Sequence, residues 1–509
     1  MPAASVPAIA ALALTLLPQP SSTPAPCERL ASLALPSTTI TLAETVAAGT
    51  FVPPAAAGRG GPQGASFSQL PPFCRVAATM RPSPDSDIKI EVWLPASGWN
   101  GKFLAVGNGG WSGAIVYAAL ATSLLRGYAT ASTDTGHSGG SGSFALGHPE
   151  KLTDFAYRAV HEMTVQAKAI IAAHYGSPSR LSYWNGCSSG GKQGLKEAQR
   201  FPADYDGIIA GAPANYWTHL VTQSLWVAQA TLTDPARYVP PAKFPLINKA
   251  VLDACDRLDG VKDGLLADPS QCRFDPAALR CKGDDAPTCL TGPQVEAVGR
   301  IYSAAKNPRT GDIIFPGLAP GSELGWTALA GGPKPFSIAE DHFKFVVFKD
   351  PNWDYKTLDF DRGVAQADQI DGGSINATDP DLSAFASRGG RLLMYHGWND
   401  QLIAPQNSID YFTSVQKAMG AAKAAEFVRL FMAPGMTHCA GGPGPNTFDM
   451  LTLLEQWVEK GNAPTQVTAS HSSNGTVDRT RPLCAYPQLA HYKGVGSIDE
   501  AASFVCQAP

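Results

Sequence analysis

Apolar and polar residues alternate over 87–95, DIKIEVWLP, with Ile88, Ile90, Val92 and Leu94 on one side. A period of two predicts a half-buried strand. KFLAVGNGGWSG (102–113) and GYATASTDTGH (127–137) read as buried strands running into loops. TDFAYRAVHEMTVQAKAIIAAHYG (153–176) changes to a helical pattern, with Thr153 as cap and Gly176 as stop. RLSYWNGCSSGG (180–191) then predicts a strand entering a turn, KQGLKEAQRFP (192–202) a helix, and YDGIIAGAPA (205–214) another buried strand. Strand–helix–strand repetition implies a mostly parallel sheet with helices on both faces, the α/β class.

From about 215 to 385 that rhythm fails. The stretch carries prolines, glycines, four cysteines and scattered aromatics such as Trp217, Trp326, Phe343, Phe345, Phe348 and Trp353. It reads as a large inserted lid domain. The sheet pattern resumes at RLLMYHGWND (391–400) and FVRLFMAPGMTHC (427–439). NTFDMLTLLEQWVEKG (446–461) is an amphipathic helix with Phe448, Leu451, Leu454 and Val458 on one face. The expected organisation is a signal or disordered segment over 1–20, a catalytic domain from 21–214 and 386–509, and the lid between them.

Composition sharpens this only in places. A formal charge of −4 over 509 residues argues against nucleic-acid and anionic-membrane partners. Charged residues are 16% against 50 glycines and 42 prolines, which suits a loop-rich α/β chain better than a helical bundle. The opening VPAIAALALTLL is too short to span a bilayer and is similar to the apolar core of an export signal, although no basic residue precedes it. Ten cysteines, none in a C-x-x-C pair, include the near neighbours 255/272, 281/289 and 484/506. That pattern suits local disulfides in an oxidising compartment, so the expected location is secreted or periplasmic.

The candidate chemistry centres on Gly186-Cys187-Ser188-Ser189-Gly190, a G-x-S-x-G between a strand and a helix. This is the context of a nucleophile elbow: small neighbours permit a sharp turn that exposes Ser188, and a helix N-terminus behind it favours a developing anion. Ser189 is the rival hydroxyl, but it stands where a backbone N–H would serve an oxyanion. A serine nucleophile needs a base, and the base an orienting acid. Asp400 follows one returning strand and His438 the next, in the order serine, acid, histidine. The second oxyanion donor falls in GNGGWSG (107–113), with Gly110 first and Gly109 as alternate. His396 precedes the acid on its strand end; with Trp398 and Ile403 it is a candidate for lining the substrate pocket. If Ser188 and His438 meet, their neighbours Cys187 and Cys439 come close enough to bond and to clamp the two loops together.

GCSSGGKQGL, HGWND and THCAGG resemble the tannase/feruloyl esterase family, whose hallmark is a Cys-Ser…Asp…His-Cys constellation. The resemblance runs from about residue 27 to the end. It implies an α/β-hydrolase core under a lid, and a serine esterase for small aromatic esters: feruloyl esters first, with galloyl esters or the mono(2-hydroxyethyl) ester of terephthalate as alternatives. No organic cofactor is implied. A non-catalytic binding module on the same fold would require a broken triad. In CDRLDGVKDGLLADPSQC (255–272), Asp256, Asp259 and Asp263 crowd together beside Gly260 and Gly264, a density that suits calcium. The resemblance implies a structural calcium there, held by those three carboxylates and the carbonyls of Val261 and Leu265. It also implies the disulfides Cys27–Cys74, Cys187–Cys439, Cys255–Cys272, Cys281–Cys289 and Cys484–Cys506.

Overall fold

The computed structural model describes residues 24–54 and 67–508. The expected export segment over 1–20 lies outside the described residues. Among these, nine strands form one large sheet: β1 (Thr38–Val46), β2 (Phe73–Met80), β3 (Ile88–Pro95), β4 (Lys102–Val106), β5 (Ala129–Thr133), β6 (Leu181–Cys187), β7 (Gly207–Gly211), β8 (Arg391–Gly397) and β9 (Val428–Ala433). Their spatial order is β1-β2-β3-β5-β4-β6-β7-β8-β9. The first four in that order pair antiparallel, and everything from β5 to β9 is parallel.

The sheet is buried on both faces, and the period of two shows how. Trp184, Ile208 and Leu392 pack with the helices Ala159–Tyr175, Ser189–Arg200 and Gln406–Met419. Their chain neighbours Tyr183, Ile209 and Leu393 pack on the opposite side with the helix Met450–Lys460. Each such side chain taken from water stabilises the fold by about 1.5–3 kcal/mol. The β3 strand differs from expectation, because both of its faces are covered. Trp93 is fully buried against Phe51 and Phe73, and Glu91 beside it takes Arg75 at 2.5 Å. The alternation there separates two kinds of interior, not interior from solvent.

Other boundaries shift for local reasons. The helix expected to start at Thr153 begins at Pro149, whose fixed φ suits a first turn, and passes through a π-turn at Asp154–Arg158. Thr153 therefore bonds back to the Pro149 carbonyl instead of capping. Gly176 ends the helix at φ 71°, as its position suggested. The helix expected over 446–461 starts at Met450, because the Asp449 carboxylate accepts from Thr452 N and caps it.

The segment from 212 to 390 adds no described strand to the large sheet. It builds its own apolar cluster around Phe244, Ile247, Val298, Ile301 and Trp326. After the last sheet strand come two antiparallel pairs, Gln466–Ser473 with Thr476–Cys484 and Leu489–Tyr492 with Phe504–Gln507. Five disulfides pair all ten cysteines as 27–74, 187–439, 255–272, 281–289 and 484–506. No described helix is long and apolar enough to cross a membrane.

Candidate active site

Parallel strands present all their carboxyl ends at one edge of the sheet, and the loops there can converge. Ser188 leaves β6, Asp400 follows β8 and His438 follows β9. Ser188 stands at φ 63° and ψ −122°, a conformation that L-residues avoid, directly before the helix Ser189–Arg200. The turn is held by Ser188 N donating to Gly211 O at 2.9 Å and by Ser188 O accepting from Ala214 N at 3.0 Å. Glycine is required beside it: a Cβ on Gly186 would lie 2.4 Å from the Gly190 carbonyl oxygen. The helix begins at Ser189, three residues earlier than its sequence pattern suggested, because the elbow itself forms the first turn.

His438 Nδ1 lies 2.7 Å from Asp400 Oδ2, and His438 N donates to Gln401 Oε1 at 3.2 Å. Asp400 is fully buried. Burial alone would raise its pKa, but the charge of His438 and the hydrogen bonds from His396 and His438 hold it below the usual carboxylate range. For His438 burial favours the neutral ring; the charge and hydrogen bond of Asp400 outweigh this and raise its pKa. The Cys187–Cys439 bond, with Cα atoms 5.9 Å apart, joins the residue before Ser188 to the residue after His438.

The loop after β4 reaches the elbow because β4 lies beside β6 in the sheet. Asn108 N donates to Gln193 Oε1 at 3.1 Å, and Ser189 Oγ donates to the Gly110 carbonyl at 3.0 Å. Gly110 has φ 51°, and a Cβ there would meet Ile338 Cδ1 at 2.6 Å. Gly110, Ser188, Ser189 and His438 line one cavity. Its outer wall comes mainly from the insertion: Trp217, Leu220, Val221 and Ser224 along one face of the helix Trp217–Leu232, together with Phe336 and Ile338. Ala214, Leu402 and Ile403 complete it. Two wider hollows on the insertion, around Arg362 and around Trp226, are not lined by any serine–histidine pair.

Two expected pocket residues lie elsewhere. His396 is completely buried behind Asp400, with Nε2 3.0 Å from Asp400 Oδ2. Trp398 is 3% exposed and belongs to the main core cluster. Only Ile403 of the three lines the cavity. Of the inserted aromatics, Trp217 reaches the cavity, whereas Trp326 belongs to the insertion's own core and Phe343 to a cluster shared with Trp111 and Phe155. Phe336, Leu220 and Ser224 were not anticipated. The i, i+3, i+4, i+7 spacing of 217, 220, 221 and 224 was visible in the sequence, but nothing there pointed that helix face at Ser188.

The acidic loop is compact. Asp256 Oδ1 accepts from Asp263 N at 3.2 Å and Gly264 N at 3.1 Å, Asp259 from Val261 N, and Asp263 from Leu265 N and from Arg481 Nη2 at 2.6 Å. Burial first, then the charges of Asp263 and Asp256, push Asp259 up to about 6 against the pull of the Val261 N–H and Arg481. Three crowded oxygen-bearing acids with one bonded arginine are short of positive charge, and their donor chemistry fits a hard cation. They gather less tightly than His161, Glu197 and Asp204, whose donor atoms all lie within 4.8 Å of one another and which include a His161–Asp204 contact of 2.6 Å.

A parallel sheet with a strained serine elbow, a buried acid and a histidine on successive strand ends defines an α/β-hydrolase. The profile described as "Tannase and feruloyl esterase" matches residues 74–507, and the chain belongs to that family. It is 39% identical to an uncharacterized esterase of Xanthomonas campestris, over 96% of this chain and 92% of the relative. It is 36% identical to a probable feruloyl esterase B-1 of Aspergillus flavus, over 85% and 86% of the two chains. Among solved structures, feruloyl esterase B from Aspergillus oryzae superposes with a TM-score of 0.89 at 33% identity, covering 96% of this chain and all of that one. Tannin acyl hydrolase from Aspergillus niger shares the fold, with a TM-score of 0.78 at 23% identity over 96% and 94%. The protein is a carboxylic ester hydrolase.

Proposed function

We propose that this esterase hydrolyses esters of hydroxycinnamic-type aromatic acids through Ser188, His438 and Asp400. The observation that carries the reading is the 2.7 Å Asp400–His438 hydrogen bond at a cavity that also receives Ser188. Asp400 fixes the hydrogen on His438 Nδ1 and leaves Nε2 to act as base. Ser188 Oγ attacks the ester carbonyl as its proton passes to His438. That proton then goes to the departing alcohol, and an acyl-serine remains. Water, deprotonated by His438, releases the acid and restores Ser188. The N–H groups of Ser189 and Gly110 stabilise the tetrahedral oxyanion, a contribution worth about 3–4 kcal/mol for a single donor.

The acyl group is read from the walls. Trp217, Phe336, Leu220 and Val221 form an apolar, partly aromatic surround, and among the described residues no lysine or arginine lines the cavity. A terephthalate monoester would bury its carboxylate without a counter-ion, which is costly. Beyond Ser188, Ser189 and His438, Ser224 is the one polar aliphatic side chain on the wall among the described residues, too little for the three hydroxyls of a gallate. The insertion acts as the lid. The five disulfides support secretion into an oxidising compartment. The loop 256–265 would hold calcium through the carboxylates of Asp256, Asp259 and Asp263 and the carbonyls of Val261 and Leu265. There the ion would supply positive charge to a structural loop and take no part in the reaction. The test is a kcat/KM panel of methyl ferulate, methyl gallate and the terephthalate monoester. Ferulate should lead by at least tenfold; preference for either of the others would reject this assignment of the acyl group.

A further inference from the structure

His396 ends β8 with no exposed surface. Its Nε2 has two acceptors, Asp400 Oδ2 at 3.0 Å and the Ile403 carbonyl at 3.1 Å, and its Nδ1 lies 2.7 Å from Ser408 Oγ. A lone pair on Nε2 would face a carboxylate and a carbonyl together, so the hydrogen belongs on Nε2. When the ring is neutral, Ser408, fully buried on the helix Gln406–Met419, donates its hydroxyl hydrogen to Nδ1. The Asp400 carboxylate is thereby held by four donors. Leu402 N at 2.8 Å and Ile403 N at 2.9 Å fix Oδ1, while His396 and His438 converge on Oδ2.

We infer that His396, as a neutral ring with its hydrogen on Nε2, is a positioning residue that sets Asp400 Oδ2 where His438 needs it; this rests on the triad reading above. It never meets substrate, and it acts through the acid. The main-chain donors locate one oxygen, and His396 locates the other, the one that orients the base. A dipole suits this place better than a cation. A second charged ring on Oδ2 would oppose the charge His438 gains when it takes the Ser188 proton. Ser408 completes the arrangement by holding the tautomer, as outer-shell partners of functional histidines do.

Three variants and one spectrum test this. His396→Met keeps the bulk and removes the donor; His396→Gln returns an amide N–H near the Nε2 position. With folding checked by circular dichroism, His396→Met should lose about ten- to a hundredfold in kcat with KM within about twofold. His396→Gln should recover most of that loss, which a residue that merely fills space would not show. Where His396→Met does not fold, Ser408→Ala carries the test, because it removes the partner that anchors the ring through Nδ1 and should lower kcat with KM kept. Imidazole nitrogen NMR of the wild type should find a protonated Nε2 and a pyridine-type Nδ1. Wild-type kcat in folded His396→Met or in Ser408→Ala, or an imidazolium signal for His396, overturns the inference. Ser188→Ala distinguishes the two levels. If that variant is inactive and His396→Met is fully active, the inference fails alone; if Ser188→Ala is active, the triad reading falls and takes the inference with it.

Discussion

Removing the Cys187–Cys439 bond by a double change to alanine should damage both the fold and, in the molecules that remain folded, catalysis. The bond closes a loop with a sequence separation of 252. In the chain-entropy model a loop of that length contributes about 5 kcal/mol, and the two small disulfides inside it change this little because the dependence is logarithmic. Part of that is offset. Cys439 sits at φ 65° next to His438, and releasing such a residue returns about 1 kcal/mol or more of backbone strain. The net expected loss is about 4 kcal/mol, read from the midpoint of guanidinium unfolding with the other four bonds intact. The catalytic cost comes from geometry. His438 keeps its 2.7 Å bond to Asp400, but its loop is no longer tied to the serine turn. A displacement of about 1 Å at the reacting groups lowers kcat roughly a hundredfold. The assay is kcat on a chromogenic ester, corrected for the folded fraction. A double variant with wild-type kcat per folded molecule would refute the idea that the clamp sets catalytic geometry.

Two further outcomes follow from the same site and a third from the acidic loop. Asp400→Asn should lower kcat by about three to four orders of magnitude with the fold retained, because the amide no longer fixes the His438 tautomer; a loss under tenfold would contradict this. Only the neutral His438 ring accepts a proton, and its pKa is raised by Asp400. Activity should therefore rise with pH through an apparent pKa above about 6.5, and in Asp400→Asn that limb should move down; a limb that stays put would show that another group titrates. Chelation should lower the melting temperature and Asp259→Ala should reproduce the effect, since a ligand at a hundred times its Kd stabilises by about 2.7 kcal/mol; a melting temperature indifferent to chelator would remove calcium from the account.

What the sequence made legible was local. The strand alternation, the Gly176 stop and the order of Ser188, Asp400 and His438 all lie in short runs whose chemistry is self-explanatory. β1 was not anticipated, because Thr38–Val46 lies at the sheet edge and mixes half-buried with exposed positions instead of alternating cleanly. The C-terminal strand pairs, also unanticipated, show no sustained alternation of burial: Thr476–Cys484 runs from an exposed first half into a buried second half, and Leu489–Tyr492 is half-buried throughout. His396 was placed on the wrong side of Asp400 for a different reason. A polar residue at a strand end is equally compatible with a pocket and with a buried hydrogen-bonded site, and only the Ser408 hydroxyl, brought in from the next helix, decides between them. The cavity wall depends on how the insertion folds back over the sheet, a long-range fact that no local pattern encodes.

Covalent labelling decides whether Ser188 is the nucleophile. A p-nitrophenyl alkylphosphonate would phosphonylate the activated serine and leave a mass increment that peptide mapping can place. One increment per chain is expected, on Ser188, with inactivation in step with labelling. Ser188→Ala should remain folded, unlabelled and inactive. An increment on Ser189, or turnover retained by Ser188→Ala, would contradict it.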